Sequence, residues 1–287
     1  MSKTKENGKR PTARKEESVR LNKFISHNSR YSRREADRLI EEGDVEVNGK
    51  VVNDLATKVN ENDIVKVKGR QIKPKSMHEM TMIVYHKPKG ELVTKSDPRG
   101  RRTIYDSLPK KFAHFVPVGR LDYASEGLIL LTDSARVADI LMHSKLERVY
   151  NLKIRGSITP SMERAMREGM KIKGKKGAHE QSKIDEMEFA PFFAYQILKN
   201  ESNYSKVRVA IGEGKNRELR RFFAHFDREI VDLHRVSFGG ISLNNLPKGK
   251  TRFLSQKEYD DLHAFIKSRQ NEDRKSVQNS SEKEERE

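Results

Sequence analysis

The stretch Val118 to Asp133, VGRLDYASEGLILLTD, most constrains what this chain can become. Its four consecutive apolar residues, Leu128 to Leu131, allow only a buried strand or the start of a buried helix. Upstream, Tyr123 to Gly127 is small, polar and ends in glycine, so it reads as a loop. A carboxylate, Asp122, follows directly on a Gly-Arg-Leu turn. It is therefore held at the mouth of a core, on a loop braced by apolar chain. That is a common way to mount a reactive group on a rigid scaffold. An aspartate in an arbitrary loop merely accepts backbone hydrogen bonds, so the rest of the chain has to decide between the two readings.

Charge narrows the partner. Among 287 residues there are 59 Lys+Arg against 42 Asp+Glu, a formal net charge of +17. Such an excess suits a polyanion, and nucleic acid is the first candidate. An anionic membrane surface is the alternative, but no basic amphipathic helix with an aromatic face is present. No apolar run approaches the length of a transmembrane span. The basic N-terminus lacks the apolar segment of a signal peptide. Cysteine is absent, which excludes disulfides and thiolate zinc sites and fits a reducing cytoplasm.

Along the chain, residues 1–17 are polar, with Lys3, Lys5, Lys9, Arg10, Arg14 and Lys15. They can bury nothing and are expected to form a disordered basic arm. A small domain over residues 18–75 follows. Val19, Leu21, Phe24 and Ile25 fall on one helical face. Ser32 and Glu35 form a capping box for a second helix with the apolar stripe Ala36, Leu39, Ile40, ended by Gly43. Asn48-Gly49 between valine pairs reads as a type I′ hairpin turn, and Asp63 to Val67 as a further strand. Arg33, Arg34 and Arg38 lie off the apolar stripe. A helix start carrying arginines suits phosphate, because free N–H groups and the dipole add to the cationic charge. Gln71 to His78, with Pro74, reads as a linker.

The larger domain spans residues 80–267. Met82 to Tyr85 is a strand leading into a Lys-Pro-x-Gly turn, and Asp97 to Arg102 is a strongly basic loop. Ile104 to Leu108 reads as a short helix. Asp133 or Ser134 caps a helix with Ala135, Val137, Ala138, Ile140 and Leu141 apolar. Tyr150 to Ile154 reads as a strand, Thr159-Pro160 opens a helix that runs to Gly169, and Lys171 to Lys176 reads as a basic loop. Strands are expected around Lys183–Phe189, Phe193–Leu198, Val207–Ile211, Ile230–Val236 and Gly240–Leu243. The segment Gly212 to Arg221 opens a helix through Phe226. Ser255 and Glu258 form another capping box for a helix from Gln256 to Ile266. Residues 268–287 are a charged, structureless tail. Strands outnumber helices and are often consecutive, so the fold class is α+β around a mixed, mainly antiparallel sheet.

Two segments carry a family resemblance. Gly119-Arg120-Leu121-Asp122, with Ser125, Gly127-Leu128 and Thr132, closely resembles the signature of the pseudouridine synthases. More narrowly it resembles the RsuA/RluB family, the branch that modifies ribosomal RNA. DPRGRRTIYDSLP resembles the RluB sub-branch. RLNKFISHNSRYSRREADRLIEEGDVEVNGK resembles the alpha-L RNA-binding motif shared by a small-subunit ribosomal protein and several RNA-modifying enzymes. The resemblance covers about Ser18 to Ile266. It implies a bent sheet with a central cleft, and catalytic roles for Asp122, Tyr150 and Arg220.

That chemistry breaks the bond between ribose and the uracil nitrogen, turns the base and rejoins it through carbon five. Nothing is oxidised or transferred, so no cofactor and no metal are expected. GEGKNR lacks the spacing and Lys-Ser/Thr of a P-loop, and the histidines are scattered without ligand spacing. The base must leave its helix. A carboxylate then acts on sugar or base, as nucleophile or as general base; the resemblance assigns this to Asp122. A cation must keep such a carboxylate ionised and oriented in a partly dry pocket. Arg217, Arg220 and Arg221, at i, i+3 and i+4, share one helical face, and Arg220 matches the family arginine. Lys215 and Arg221 are expected on RNA phosphate, Arg217 among the RNA-binding residues, and Arg120 on phosphate or in the gap left by the flipped base. Tyr150 matches the family tyrosine that stacks the uracil; judged alone it reads as core. The expected partner is ribosomal RNA, of the large (23S) subunit, met by a cytoplasmic monomer. A small-subunit target and a non-catalytic RNA-binding assembly protein stay open as alternatives.

Overall fold

The computed structural model describes residues 18–60, 62–73, 80–178 and 185–269. The expected basic arm, the linker beyond residue 73, the first part of the strand expected near Lys183 and the tail from residue 270 lie outside the described residues. The chain divides at residues 76–77 into two units.

The smaller unit holds β1 (Val19–Arg20), α1 (Leu21–Asn28), α2 (Arg33–Glu41), β2 (Val45–Val47), β3 (Lys50–Val51), β4 (Lys58–Val59), β5 (Val65–Val67) and β6 (Arg70–Ile72). Ser32 Oγ accepts from Glu35 N while Glu35 Oε2 accepts from Ser32 N, so the capping box is present. Asn48 and Gly49 both have positive φ, 52° and 81°, as a type I′ turn between β2 and β3 requires. The sheet runs β3-β2-β5-β6. Leu21, Ile25, Ala36, Ile40, Val45 and Val65 form a fully buried core. Two expectations are corrected. Val19 belongs to a strand paired with Val59, not to the first helix. Gln71 and Ile72, placed in the linker, continue the sheet as β6 against β5, because strand pairing satisfies backbone groups that a polar composition does not reveal.

The larger unit is built on a nine-stranded sheet. Its strands are β7 (Met82–Lys87), β8 (Val116–Pro117), β9 (Glu126–Thr132), β10 (Arg148–Arg155), and, after the separate hairpin of β11 (Met170–Lys173) and β12 (Glu186–Phe189), β13 (Ala194–Lys199), β14 (Tyr204–Ile211), β15 (Ile230–Phe238), β16 (Ile241–Ser242) and β17 (Thr251–Phe253). The order is β13-β14-β10-β15-β9-β7-β17, with β16 on β15 and β8 on β9. All pairs are antiparallel except β15 with β9. The helices are α3 (Ile104–Ser107), α4 (Ala135–Met142), α5 (Pro160–Glu168), α6 (Glu218–His225) and α7, residues 256–269. Lys171 to Lys173, expected in a loop, are in β11.

The run Leu128 to Leu131 is a strand whose four side chains are all buried. Burying each contributes about 1.5–3 kcal/mol, which makes β9 a fixed rail beneath the Asp122 loop. Ile129 and Leu131 face the core containing Phe222 and Leu152, while Leu128 and Leu130 face the core made with α4 and α7. Gly127 permits the parallel step. With φ of 117°, a Cβ there would lie 2.2 Å from the Arg235 carbonyl oxygen, so a side chain would push β15 off β9.

Candidate active site

Asp122 leaves the Gly119 turn, where φ is +75°, and ends a loop pinned from below. The Ser125 amide donates to the Asp122 carbonyl at 3.0 Å and the Gly90 amide to the Tyr123 carbonyl at 2.8 Å. Underneath lies Lys87, at the end of β7 and fully buried. Its Nζ donates to the carbonyls of Pro88, Asp122 and Ser125 at 3.0, 3.1 and 2.7 Å. A buried ammonium with all three protons used is a rigid tie. Burial pushes this lysine down to about 8, against the opposing charges of Glu91, Asp122 and Glu126. Glu91 is itself buried and accepts from Tyr85 Oη at 2.7 Å and from Ser107 Oγ.

Two arginines meet the Asp122 carboxylate. Arg220 Nε donates to Oδ2 at 3.0 Å and Arg217 Nη1 to the same oxygen at 3.2 Å. Oδ1 receives no hydrogen bond from the described residues. Arg220 is tied twice more, Nη1 to the Ile230 carbonyl and Nη2 to Ser125 Oγ. Its side chain is 13% exposed and that of Asp122 34%, so the pair sits in a partly dry site where Coulomb attraction outlasts screening by salt. Arg217 stands just outside α6, in left-handed backbone (φ 50°, ψ 31°), and its Nε donates to the Gly177 carbonyl at 2.9 Å. That conformation swings Arg217 toward Asp122. Glu218 closes the turn by accepting from the Lys215 amide at 2.9 Å, and its burial pushes its carboxyl upward.

The pair opens into a cleft of about 580 Å³, lined among others by Arg120, Asp122, Tyr150, Lys215, Arg217 and Arg220. Tyr150 enters from β10 at a register shift against β15 and is 7% exposed. Arg120 is exposed at the rim. Lys215 is exposed too, with Nζ on the Glu188 carbonyl at 2.6 Å. Arg33, Arg34 and Arg38 are exposed on α2 in the other unit.

Two sequence expectations change here. Arg221, expected on RNA phosphate, is fully buried, with Nη2 on the Gly174 carbonyl at 3.0 Å. Arg217, expected to bind RNA and to share one helical face with Arg220 and Arg221, is not helical and pairs with Asp122. The shared face fails because the helix begins one residue after Arg217. The basic loop at Asp97 is ordered by its own acid: Asp97 receives two bonds from the Arg101 guanidinium, each at 2.9 Å. Those bonds lower the Asp97 carboxyl to about 2.

Three positions are not legible as functional in the sequence. Lys87 reads there only as part of a turn. Arg148 is buried and binds the carbonyls of Leu146 and Gly212, both at 2.8 Å. Arg235, also buried, donates from Nε to the Leu128 carbonyl at 2.7 Å. Both arginines line the cleft. Their only sequence signal is a cation on the strand face that otherwise buries apolar side chains, Leu152 and Ile154 on β10 and Leu233 and Phe238 on β15. Among the described residues no three His, Asp or Glu side chains converge on a metal-sized site, and no helix is long and apolar enough to cross a membrane.

Comparison with known proteins places this geometry. Residues 81–225 match the family described as RNA pseudouridylate synthase, and residues 19–65 match the S4 domain. A Helicobacter pylori protein named as an uncharacterized RNA pseudouridine synthase is 54% identical over 255 residues, spanning 88% of this chain and 97% of its own. The ribosomal large subunit pseudouridine synthase B of Bacillus subtilis is 32% identical over 248 residues, spanning 86% and 96%. A crystal structure of a pseudouridylate synthase superposes with a TM-score of 0.57 at 26% identity, covering 85% of this chain and all of that one.

Proposed function

This chain belongs to the RNA pseudouridylate synthase family, and on that premise we propose that it isomerises a uridine of ribosomal RNA, in the large subunit. The observation that carries the reading is the Asp122 carboxylate, held through one oxygen by Arg217 and Arg220 at the mouth of a cleft lined by Tyr150. In this reading the target uridine leaves its helix and its base enters the cleft beside Tyr150. The N1–C1′ bond breaks, the uracil turns, and a C5–C1′ bond forms as C5 loses its proton. Asp122 Oδ1 is free to act in that sequence, either on the sugar carbon or on a ribose proton. Arg220 and Arg217 orient the carboxylate through Oδ2, which fixes the direction of Oδ1. Tyr150 supplies a flat surface for the base and a hydroxyl for proton transfer.

Large-subunit rRNA is favoured by the name of the Bacillus subtilis relative and by the DPRGRRTIYDSLP segment. The S4 match and the exposed arginines of α2 suit a structured RNA held by its phosphates. The absence of cysteine suits a reducing cytoplasm. Pseudouridine mapped in rRNA from cells with and without the gene tests the whole reading. Loss of a site in large-subunit rRNA is the expected result. Loss only in small-subunit rRNA would move the target. Unchanged maps would leave a non-catalytic RNA-binding protein.

A further inference from the structure

At its β13-β14-β10 end, the sheet of the larger unit has one face that is not part of the cleft and is not covered. Along β10, Arg148, Tyr150, Leu152 and Ile154 are buried, while Val149, Asn151, Lys153 and Arg155 alternate onto the other side. Register carries that second side across the sheet. Asn151 pairs with Arg208 and with His234, Lys153 with Lys206 and with Asp232, and Gln196 with Arg208. Lys206, Arg208 and Gln196 are exposed, and apart from the buried Ala210 beside Val149 this side of β10 and β14 carries polar and partly exposed residues. An antiparallel sheet can leave one face to water, but this one is strongly basic. Arg155 is offset by Glu229 and Asp232 is paired with Lys89. Lys206 and Arg208 have no ion-pair partner among the described residues. Tyr204 adds a ring between two cations, with Lys153 Nζ 4.5 Å and Arg155 Cζ 5.7 Å from its centre.

The basic strip runs into a second cavity, of about 490 Å³, which Arg208 also lines. Its floor is a pair of imidazoles, His86 and His234, stacked 5.4 Å apart with planes 4° from parallel. His86 is only 7% exposed. Its Nδ1 lies 2.6 Å from the Leu246 carbonyl. A carbonyl can only accept, so that nitrogen carries the proton, and in the neutral ring Nε2 is then the acceptor. The Nε2 atoms of both histidines are buried and without a partner among the described residues. Burial also pushes His234 below the ordinary histidine value, with His86 and Lys248 acting in the same direction and Glu126 against it. The cavity therefore presents two buried, unpartnered ring nitrogens to a ligand able to hydrogen-bond, and His86 Nε2, in the neutral ring, calls for an N–H or O–H donor.

We propose that this open face is a second RNA-binding surface, on which Lys206 and Arg208 hold backbone phosphates of a single strand while one nucleotide donates hydrogen bonds to the His86 and His234 pocket. The occupant follows from charge and donor chemistry: a strand of RNA carries both the anionic backbone and, on its bases and 2′-hydroxyls, the donors. The inference rests on the chain acting on RNA, but not on which subunit or nucleotide it modifies. Binding here would grip substrate RNA at a point separate from the reacting base.

The test uses the full chain and a labelled single-stranded RNA of mixed sequence, about 16 nucleotides long. Crosslinking from thiouridine in that RNA is expected to mark peptides carrying Tyr204 to Arg208 and Ser242 to Leu246. Lys206→Glu with Arg208→Glu is expected to reduce the slope of log affinity against log salt by about 1.4, at about 0.7 per phosphate on a single strand. His234→Leu, which leaves the phosphate contacts, is expected to weaken binding by about three- to tenfold. Should the charge-reversed chain fail to fold, Lys206→Gln with Arg208→Gln carries the same test with a smaller perturbation. An unchanged salt slope overturns the proposal. So does equal dependence on these residues for duplex DNA or phosphatidylglycerol vesicles, which would make the face a general polyanion patch. Measuring rRNA isomerisation by the wild-type chain in parallel separates the outcomes. Turnover with an unchanged slope removes this surface alone, whereas absent turnover removes the catalytic reading whatever the surface binds.

Discussion

The arginines at the start of α2 and those at the start of α6 stand in similar words, SRREADR and KNRELRR, each near a helix N-terminus. In α2 the helix is capped by Ser32, and Arg33, Arg34 and Arg38 stay exposed. Among the described residues only Arg38 of the three has an acidic partner within reach, Glu42 at 3.9 Å. Around α6 every arginine is engaged: Arg217 and Arg220 on Asp122, Arg221 inside the fold. Consecutive helical residues point about 100° apart, so Arg220 and Arg221 reach different surroundings. A run of cations thus says how much charge is present but not whether it serves solvent, substrate or the protein itself. The α2 set is available for phosphate; the α6 set is largely spent inside the molecule.

The comparison breaks most visibly at the group the α6 arginines hold. Asp122→Asn keeps the shape but is neither nucleophile nor base. Turnover should fall at least about a thousandfold, while RNA affinity, carried by phosphate contacts elsewhere, survives. A purified variant that still converts uridine would sink the assignment.

Arg220→Met should come next, lowering the single-turnover rate by about a hundredfold or more, the scale for losing a preorganised charge contact. Arg220→Lys keeps the charge without the planar fork and should retain part of the rate. If both variants change only RNA affinity, Arg220 works like the arginines of α2, and the contrast between the clusters collapses.

Lys87 tests the tie beneath the loop. Its protonated form donates to three carbonyls and its neutral form has only two protons to offer. With the lysine pushed down to about 8, the fully bonded state is present below that pH and is lost as pH rises through it. The wild-type rate should therefore decline on the alkaline side, by about threefold. Lys87→Met should be slower throughout and lack that alkaline limb. A limb that persists in the variant would assign it to another group.

Smaller effects sharpen the contrast from the other side. Arg33→Ala with Arg34→Ala should flatten the salt dependence of rRNA binding by about one to two units, roughly one per phosphate contact, with the rate at saturating enzyme retained. An unchanged slope would show that those arginines face only solvent. Arg221→Met should change neither affinity nor salt slope, because its guanidinium is buried. Replacing a buried charge with a well-packed apolar side chain is often close to neutral for stability, which thermal melts would check.

Much of the architecture is written locally. The Ser32 and Ser255 capping boxes, the Asn48-Gly49 turn, the Thr159-Pro160 helix start and the apolar run of β9 depend on neighbours within a few residues, so pattern is enough to find them. Strands lacking an apolar signature, β6, β11 and β17, are not legible, because their backbone bonds are made to partners that composition does not name. The same division runs through the site. The local pattern places Asp122 on a braced loop, but its expected role, like those of Arg220 and Tyr150, comes from the family resemblance. That Arg217 joins Arg220 on one carboxylate oxygen was decided by a left-handed residue just before α6, across 95 and 98 positions of sequence. The burial of Lys87, Arg148, Arg221 and Arg235 was decided the same way. A cation's role depends on which carbonyls and carboxylates surround it, and those arrive from distant strands only when the sheet closes.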